Sequence, residues 1–204
     1  MDLDLGKSGY HHKNLKEEMI ENSIKIMATE GYEKFSLRKV AKACGVSHTA
    51  PYRHFKNKDS LIAAIIDQVN NKFDQILKEA VKKYPEDLQS QLKEMAFLYV
   101  KFLVENPEYM KFLFFSDFNK KLSTDNKDLS YSMSQPYSTF TETVQRYQAG
   151  KTGPSIYDNP EELILAIWGL AHGIAVLITQ EYFKFSGDYL EMARKIIWNG
   201  SFID

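Results

Sequence analysis

Cysteine is almost missing from this 204-residue chain: Cys44 stands alone, so no intrachain disulfide can form and the reducing cytoplasm is the expected location. A charge bias is missing as well. With 26 Lys and Arg against 27 Asp and Glu, the overall balance selects no anionic or cationic partner. The opening "MDLDLGKSGY" is polar and lacks the apolar core of a secretory signal. The most apolar run, Leu163 to Ile178, contains Gly169, His172 and Gly173 and is shorter than the roughly 20 residues that cross a bilayer; it reads as a buried helix. There is no glycine-rich phosphate loop, no metal-ligand spacing and no nucleophile with an evident base. An enzyme is therefore not expected, and neither a cofactor nor a metal is implied. The adjacent His11 and His12 lack a nearby acid or cysteine and make a poor metal site.

What the chain does have is a helical period nearly throughout. Asn14 and Glu17 form a capping-box pattern ahead of Ile20, Ile24 and Met27, and Gly31 stops that helix. Ser36 can cap a short second helix with Leu37, Val40 and Ala41 on one face, and a third reaches Phe55. Asn57 opens a fourth, in which Leu61, Ile62, Ile65, Ile66, Val69, Phe73, Ile76 and Ala80 keep the period. Leu88, Leu92, Met95, Tyr99 and Phe102 line the next, which breaks at Asn106 and Pro107 before the aromatic "PEYMKFLFF". Asn119 to Ser130 is polar and unpatterned, a loop. Helices are expected from Gln135 to Gln148, from the Asn159–Pro160 pair to Tyr182, and from Asp188 to Asn199. No run reads as a strand, so the expected fold class is all-α with about nine helices.

One stretch stands apart. "GVSHTAPYRHF", Gly45 to Phe55, crowds His48, Thr49, Tyr52, Arg53 and His54 into two helical turns, and Lys34 to Lys58 holds seven basic residues with no acidic one. An acid-free window on a helix-turn-helix pattern points to an anionic partner. Gly45 stands where the turn needs a positive φ, and Val46 can plug the gap beside Val40, Ala41 and Phe55. Pro51 cannot sit in the fourth position of a helix without removing a hydrogen bond. A recognition helix of two turns or fewer is therefore expected, with Ser47, His48 and Thr49 on an extended lead-in.

The run "SLRKVAKACGVSHTAPYRHFKNKDSLIAAI" closely resembles the DNA-binding domain of TetR-family bacterial transcriptional regulators, over about Leu15 to Asp67. "YHHKNL" and the order Trp168, His172, Gly173 resemble the subgroup whose C-terminal domain is named for a Trp-His-Gly pattern. The resemblance implies a flexible arm at 1–12, a helix-turn-helix domain at 13–57, and a ligand-binding and dimerisation domain at 58–204. By position in the motif, Tyr52, His54 and Lys58 are expected to hold phosphates, which fixes register without reading sequence. Ser36 is expected to cap its helix, with or without a phosphate contact. Base reading falls to His48, Thr49, Ala50 and Arg53, the arginine serving either a guanine or a phosphate. Phe55 and Cys44 read as core; a redox role for Cys44 would need a lowered pKa.

For the C-terminal domain the resemblance implies an apolar ligand cavity between helices, with Phe102, Met110, Phe114, Tyr137, Phe140, Trp168 and His172 as candidate lining. His172 reads first as a satisfied core histidine, with a polar handle in the pocket as the alternative. The helix from Pro160 is apolar on nearly every side, which one copy of the chain cannot cover. A homodimer through Leu170, Ile174, Leu177, Leu190, Ala193 and Ile197 would cover it, and would set the recognition helices about 34–36 Å apart for a palindromic duplex. The expected function is a repressor released by a small apolar or amphipathic effector, with the fourth helix as the lever. The alternative is a DNA-binding adaptor whose C-terminal domain binds a protein partner.

Overall fold

The computed structural model describes residues 15–115, 138–153, 156–200 and 203. Asn14, His11, His12, Tyr137 and the loop expected at 119–130 lie outside the described residues. Those described form eight α-helices and no strand: α1 (Leu15–Glu30), α2 (Leu37–Ala43), α3 (Lys58–Lys83), α4 (Leu88–Glu105), α5 (Pro107–Met110), α6 (Ser138–Ala149), α7 (Pro160–Thr179) and α8 (Tyr189–Asn199). A 3-10 turn, Ala50–Arg53, stands between α2 and α3, and a π-helical turn, Lys111–Phe115, follows α5. Among the described residues, four of the polar residues read as caps act as such. Ser36 Oγ accepts from Lys39 N, Asn57 Oδ1 from Ser60 N, Asn159 Oδ1 from Glu162 N, and Asp188 Oδ1 from Leu190 N.

The chain divides into two compact units. In the first, which takes residues up to Gln68 and the turn Lys111–Phe115, α1 turns Met19, Ile20, Ile24 and Met27 inward against Leu37, Val40 and Ala41 of α2. Phe55, Leu61, Ile62, Ile65 and Ile66 complete that core, and Phe112 is buried in it as well. The second unit holds the rest of α3, α4, α5 and α6 to α8. Its central helix is α4, which packs on α6, α7 and α8. The buried stripe of α3 carries on here through Val69, Phe73, Leu77 and Ala80; Leu77 faces inward and Ile76 only half so.

A glycine decides the turn after α2. Gly45 has φ +65°, a conformation that costs an L-residue roughly 1–2 kcal/mol. It donates to the Lys42 carbonyl at 3.2 Å, and Val46 donates to the Ala41 carbonyl at 3.0 Å. These two bonds satisfy the last carbonyls of α2 and fold half-buried Val46 back over Ala41. The chain then reverses toward Pro51 and Phe55, both buried.

The lead-in departs from expectation. Residues 47–50 are a turn, not extended chain: Ala50 N–H donates to the Ser47 carbonyl at 3.0 Å, and Thr49 has φ −91° and ψ −18°. The 3-10 turn that follows is a single turn long. Pro51 explains both features. It has no N–H to give an α-helical bond, and its fixed φ suits the first turn of a tight helix.

Candidate functional site

In the first unit, residues 47–54 form a surface held down from beneath. Pro51 and Phe55 are buried, whereas Ser47, His48, Thr49, Tyr52, Arg53 and His54 are exposed and Ala50 is half-buried. Tyr52 is 59% exposed, far more than an aromatic ring needs for packing. Ser47 and Thr49 share a hydroxyl hydrogen bond of 3.1 Å, which orders the entry to the 3-10 turn. Lys34, Arg38, Lys42 and Lys56 are exposed and add positive charge around it. Ser36 is half-buried and already caps α2.

Space modifies the acid-free window in two places. Lys39 pairs with Glu30, an acid outside that window, and its hydrogen bond holds the Glu30 carboxyl below the usual range. Lys58 is turned inward: Nζ donates to the Tyr32 carbonyl at 2.9 Å and lies 3.7 Å from the Tyr32 ring centroid. Its ammonium fastens the segment before α2 to the start of α3 through a hydrogen bond and a cation–π contact. This is a positioning role that the sequence does not announce, because nothing in the spacing of Tyr32 and Lys58 marks them as partners. Cys44 is half-buried and accepts from Asn22 Nδ2 at 3.3 Å. Burial pushes its thiol up, the opposite of a reactive cysteine.

The second unit contains a small apolar space of about 40 Å³. Phe73 and Leu77 of α3, Met95, Ala96 and Tyr99 of α4, Phe140 of α6, and Ile167, Trp168 and Ala171 of α7 line it. Of the residues expected there, Phe140 and Trp168 line it. Phe102 stands outside it, edge-on to Phe73 with ring centroids 4.6 Å apart. Met110 is fully buried and Phe114 half-buried, and neither belongs to the lining. Tyr137 lies outside the described residues.

His172 sits beside the lining on a short polar chain. Trp168 Nε1 donates to the Tyr99 hydroxyl at 3.2 Å, and that hydroxyl lies 2.9 Å from His172 Nδ1. Indole N–H can only donate, so the first bond runs from Trp168 to Tyr99, and the direction of the second depends on the His172 tautomer. Tyr99 accepts from Trp168 and shares a hydrogen bond with His172 Nδ1. Burial lowers the His172 pKa from its ordinary value, in keeping with a neutral ring. The unfolded chain therefore takes up this proton at a higher pH than the folded one. Stability is full above the ordinary histidine range and falls as pH drops toward the folded pKa. Replacing His172 with Asn should flatten that part of the pH–Tm curve; a slope unchanged in the variant would clear His172 of responsibility.

The outer faces of α7 and α8 correct part of the expected dimer contact. Helix α7 is long and apolar enough to cross a membrane by length and composition. However, its stripe Leu163, Ile167, Ala171 and Ala175 is buried in the unit, and Asn159 caps its start. One copy of the chain leaves its other side uncovered. Leu165 is 69% and Leu177 48% exposed, Leu170 and Ile174 are half-buried, and nothing lies within 4 Å of a Cβ built on Gly169 or Gly173. On α8, Ala193 and Ile197 are fully buried within their own unit and so cannot meet a partner. The helical period puts them on the face toward α4. The outward residue is Ile196, 44% exposed, with Leu190 half-buried.

Comparison with known proteins matches residues 19–65 to the tetR family of bacterial regulatory proteins and residues 92–197 to a tetracyclin repressor-like C-terminal domain. The chain is 31% identical over 77 residues to the uncharacterized HTH-type transcriptional regulator YerO of Bacillus subtilis, covering 36% of this chain and 27% of that one. It is 29% identical over 106 residues to the nucleoid occlusion factor SlmA of Citrobacter koseri, covering 50% and 51%. The chain thus spans about half the length, or less, of these curated relatives. In three dimensions it resembles the regulator FadR of Bacillus subtilis in complex with stearoyl-CoA, with TM-score 0.64, 15% identity, and 90% of this chain and 98% of that one covered.

Proposed function

The chain belongs to the tetR family of bacterial regulatory proteins, and from that premise we propose that it is a homodimeric repressor of a palindromic operator, released by a small apolar or amphipathic effector. In this reading residues 13–57 bind the DNA, 58–204 carry the effector site and the dimer contact, 1–12 form an arm, and the protein works on the chromosome in the cytoplasm. The observation that carries it is the surface at 47–54. Six exposed polar or basic side chains stand there on a turn clamped by Gly45, Pro51 and Phe55, and a rigid support is what base and phosphate contacts require.

Selection of random duplex DNA by the purified protein tests the reading. A two-fold symmetric site is the expected winner; no enrichment of any symmetric site would sink it. On that site, Tyr52→Ala should weaken every sequence alike. Arg53→Ala should relax the preference at one base pair if it reads guanine, or lower the slope of log affinity against log salt by about 1 if it holds a phosphate. Lys58→Gln should lower the melting temperature as well as the affinity, since its ammonium already fastens Tyr32.

Release needs only modest coupling: a hundredfold loss of DNA affinity corresponds to about 2.7 kcal/mol. Helix α3 is the proposed route, because it contributes buried residues to each unit in turn, Ile62 and Ile65 to one and Phe73 and Leu77 to the other. One observation favours the second reading, a DNA-binding adaptor with a protein partner. The space of about 40 Å³ is well below the roughly 300 Å³ of an ordinary ligand pocket, so an effector must displace side chains to enter.

A further inference from the structure

The effector reading leaves the chemical class of the molecule open, and the walls of the cavity narrow it. No charged side chain lines it among the described residues. Phe73, Met95, Phe140 and Ile167 offer only hydrocarbon, aromatic or thioether surface. Polar capacity is confined to one edge, where the Tyr99 hydroxyl accepts the Trp168 N–H and is hydrogen-bonded to His172. That chain is made of neutral groups, so a full charge entering the space would lose its hydration and meet no counter-charge there.

We propose that the cavity takes an uncharged, compact, largely hydrocarbon molecule carrying at most one hydroxyl or comparable hydrogen-bonding group, which is read at the Tyr99–Trp168–His172 edge. The proposal rests on the effector reading and deepens it. Entry proceeds by moving Trp168, which is half-buried and therefore the most easily displaced of the large lining residues. A hydroxyl joins the existing chain, while the alkyl part lies against Phe73 and Phe140. The depressed pKa of His172, which burial causes, agrees with a site that resists charge.

Three probes of similar size separate the possibilities: 1-hexanol, hexanoate and hexylammonium, each titrated against the full chain at a pH of about 8, where the last two are ionised. Binding is read as a rise in melting temperature without DNA. The expected result is a saturable rise with 1-hexanol and affinities at least about tenfold weaker for both ions, equivalent to about 1.4 kcal/mol. Tyr99→Phe keeps the ring and should reduce affinity for 1-hexanol several-fold while leaving that for 1-hexene unchanged. Ala171→Leu fills the space and should abolish the 1-hexanol response; should it also unfold the chain, the Tyr99→Phe comparison decides. Either ion binding as well as the alcohol overturns the proposed class and leaves the effector reading standing. A flat response to all the probes overturns both, while the DNA selection above tests the operator independently of any effector.

Discussion

Aspartate at both Leu165 and Leu177 is expected to leave a folded protein that no longer forms the proposed dimer and binds the proposed palindromic site about 100-fold or more less tightly. The two leucines flank the outward ridge of α7, and between them Gly169 and Gly173 have open space where a side chain would be. Glycine at such a ridge lets a second helix approach closely. Burying each leucine against a partner contributes about 1.5–3 kcal/mol, and two carboxylates from each copy would replace that gain with repulsion and desolvation. Neither residue contributes to its own unit's core, so the fold should survive. Affinity falls because a monomer reaches one half-site and loses the intramolecular second contact. Light scattering after gel filtration reports the mass, and a DNA titration the affinity. A variant that still elutes as a dimer would mean that the contact lies elsewhere than on this face.

Removing both cations from Glu94 is the other large effect expected. Its carboxylate is only 3% exposed, with Lys83 Nζ at 2.9 Å and Arg194 Nη1 at 3.1 Å. The Arg194 guanidinium also lies 3.7 Å from the Phe97 ring centroid. Lys83 ends α3, Glu94 lies within α4 and Arg194 within α8, so the cluster ties three helices of the second unit together. Its hydrogen bond to Glu94 raises the Lys83 pKa. Both cations are about half exposed and can return to water, whereas the carboxylate cannot. Lys83→Met combined with Arg194→Met therefore strands a buried charge and should cost about 3–5 kcal/mol. Glu94→Gln strands nothing comparable and should cost about 1–2 kcal/mol. Urea titration compares the two; a larger loss for Glu94→Gln would show that the carboxylate is less dependent on its partners than its burial implies.

Most of the helical order is legible in the sequence because it is written locally. Caps at Ser36, Asn57, Asn159 and Asp188, and the glycine stop at Gly31, act within a few residues of their own position. The turn at Gly45 is legible for the same reason, since a positive φ is a property of a single residue. The lead-in at 47–49 is not, because its bonds depend on how Pro51 is seated in the core, which involves residues from other helices. Ala193 and Ile197 have the pattern of a partner-facing stripe although they are fully buried. A helical period identifies an apolar face and does not say whether the same chain or a second one covers it.

By itself, then, the sequence determined the all-α class, the capped starts of several helices, the helix-turn-helix segment and the run of basic residues around it. These follow from backbone torsions, capping and periodicity, all of which act over a few residues. Only the tertiary structure decided which side chains meet. It turned Lys58 onto Tyr32, closed Trp168, Tyr99 and His172 into one chain, buried Glu94 between two cations and left Leu165 and Leu177 uncovered. Those outcomes join residues as far as 100 positions apart, as Glu94 and Arg194 are. At such separations it is the packing of helices, rather than the order of residues along them, that sets the distance between two side chains.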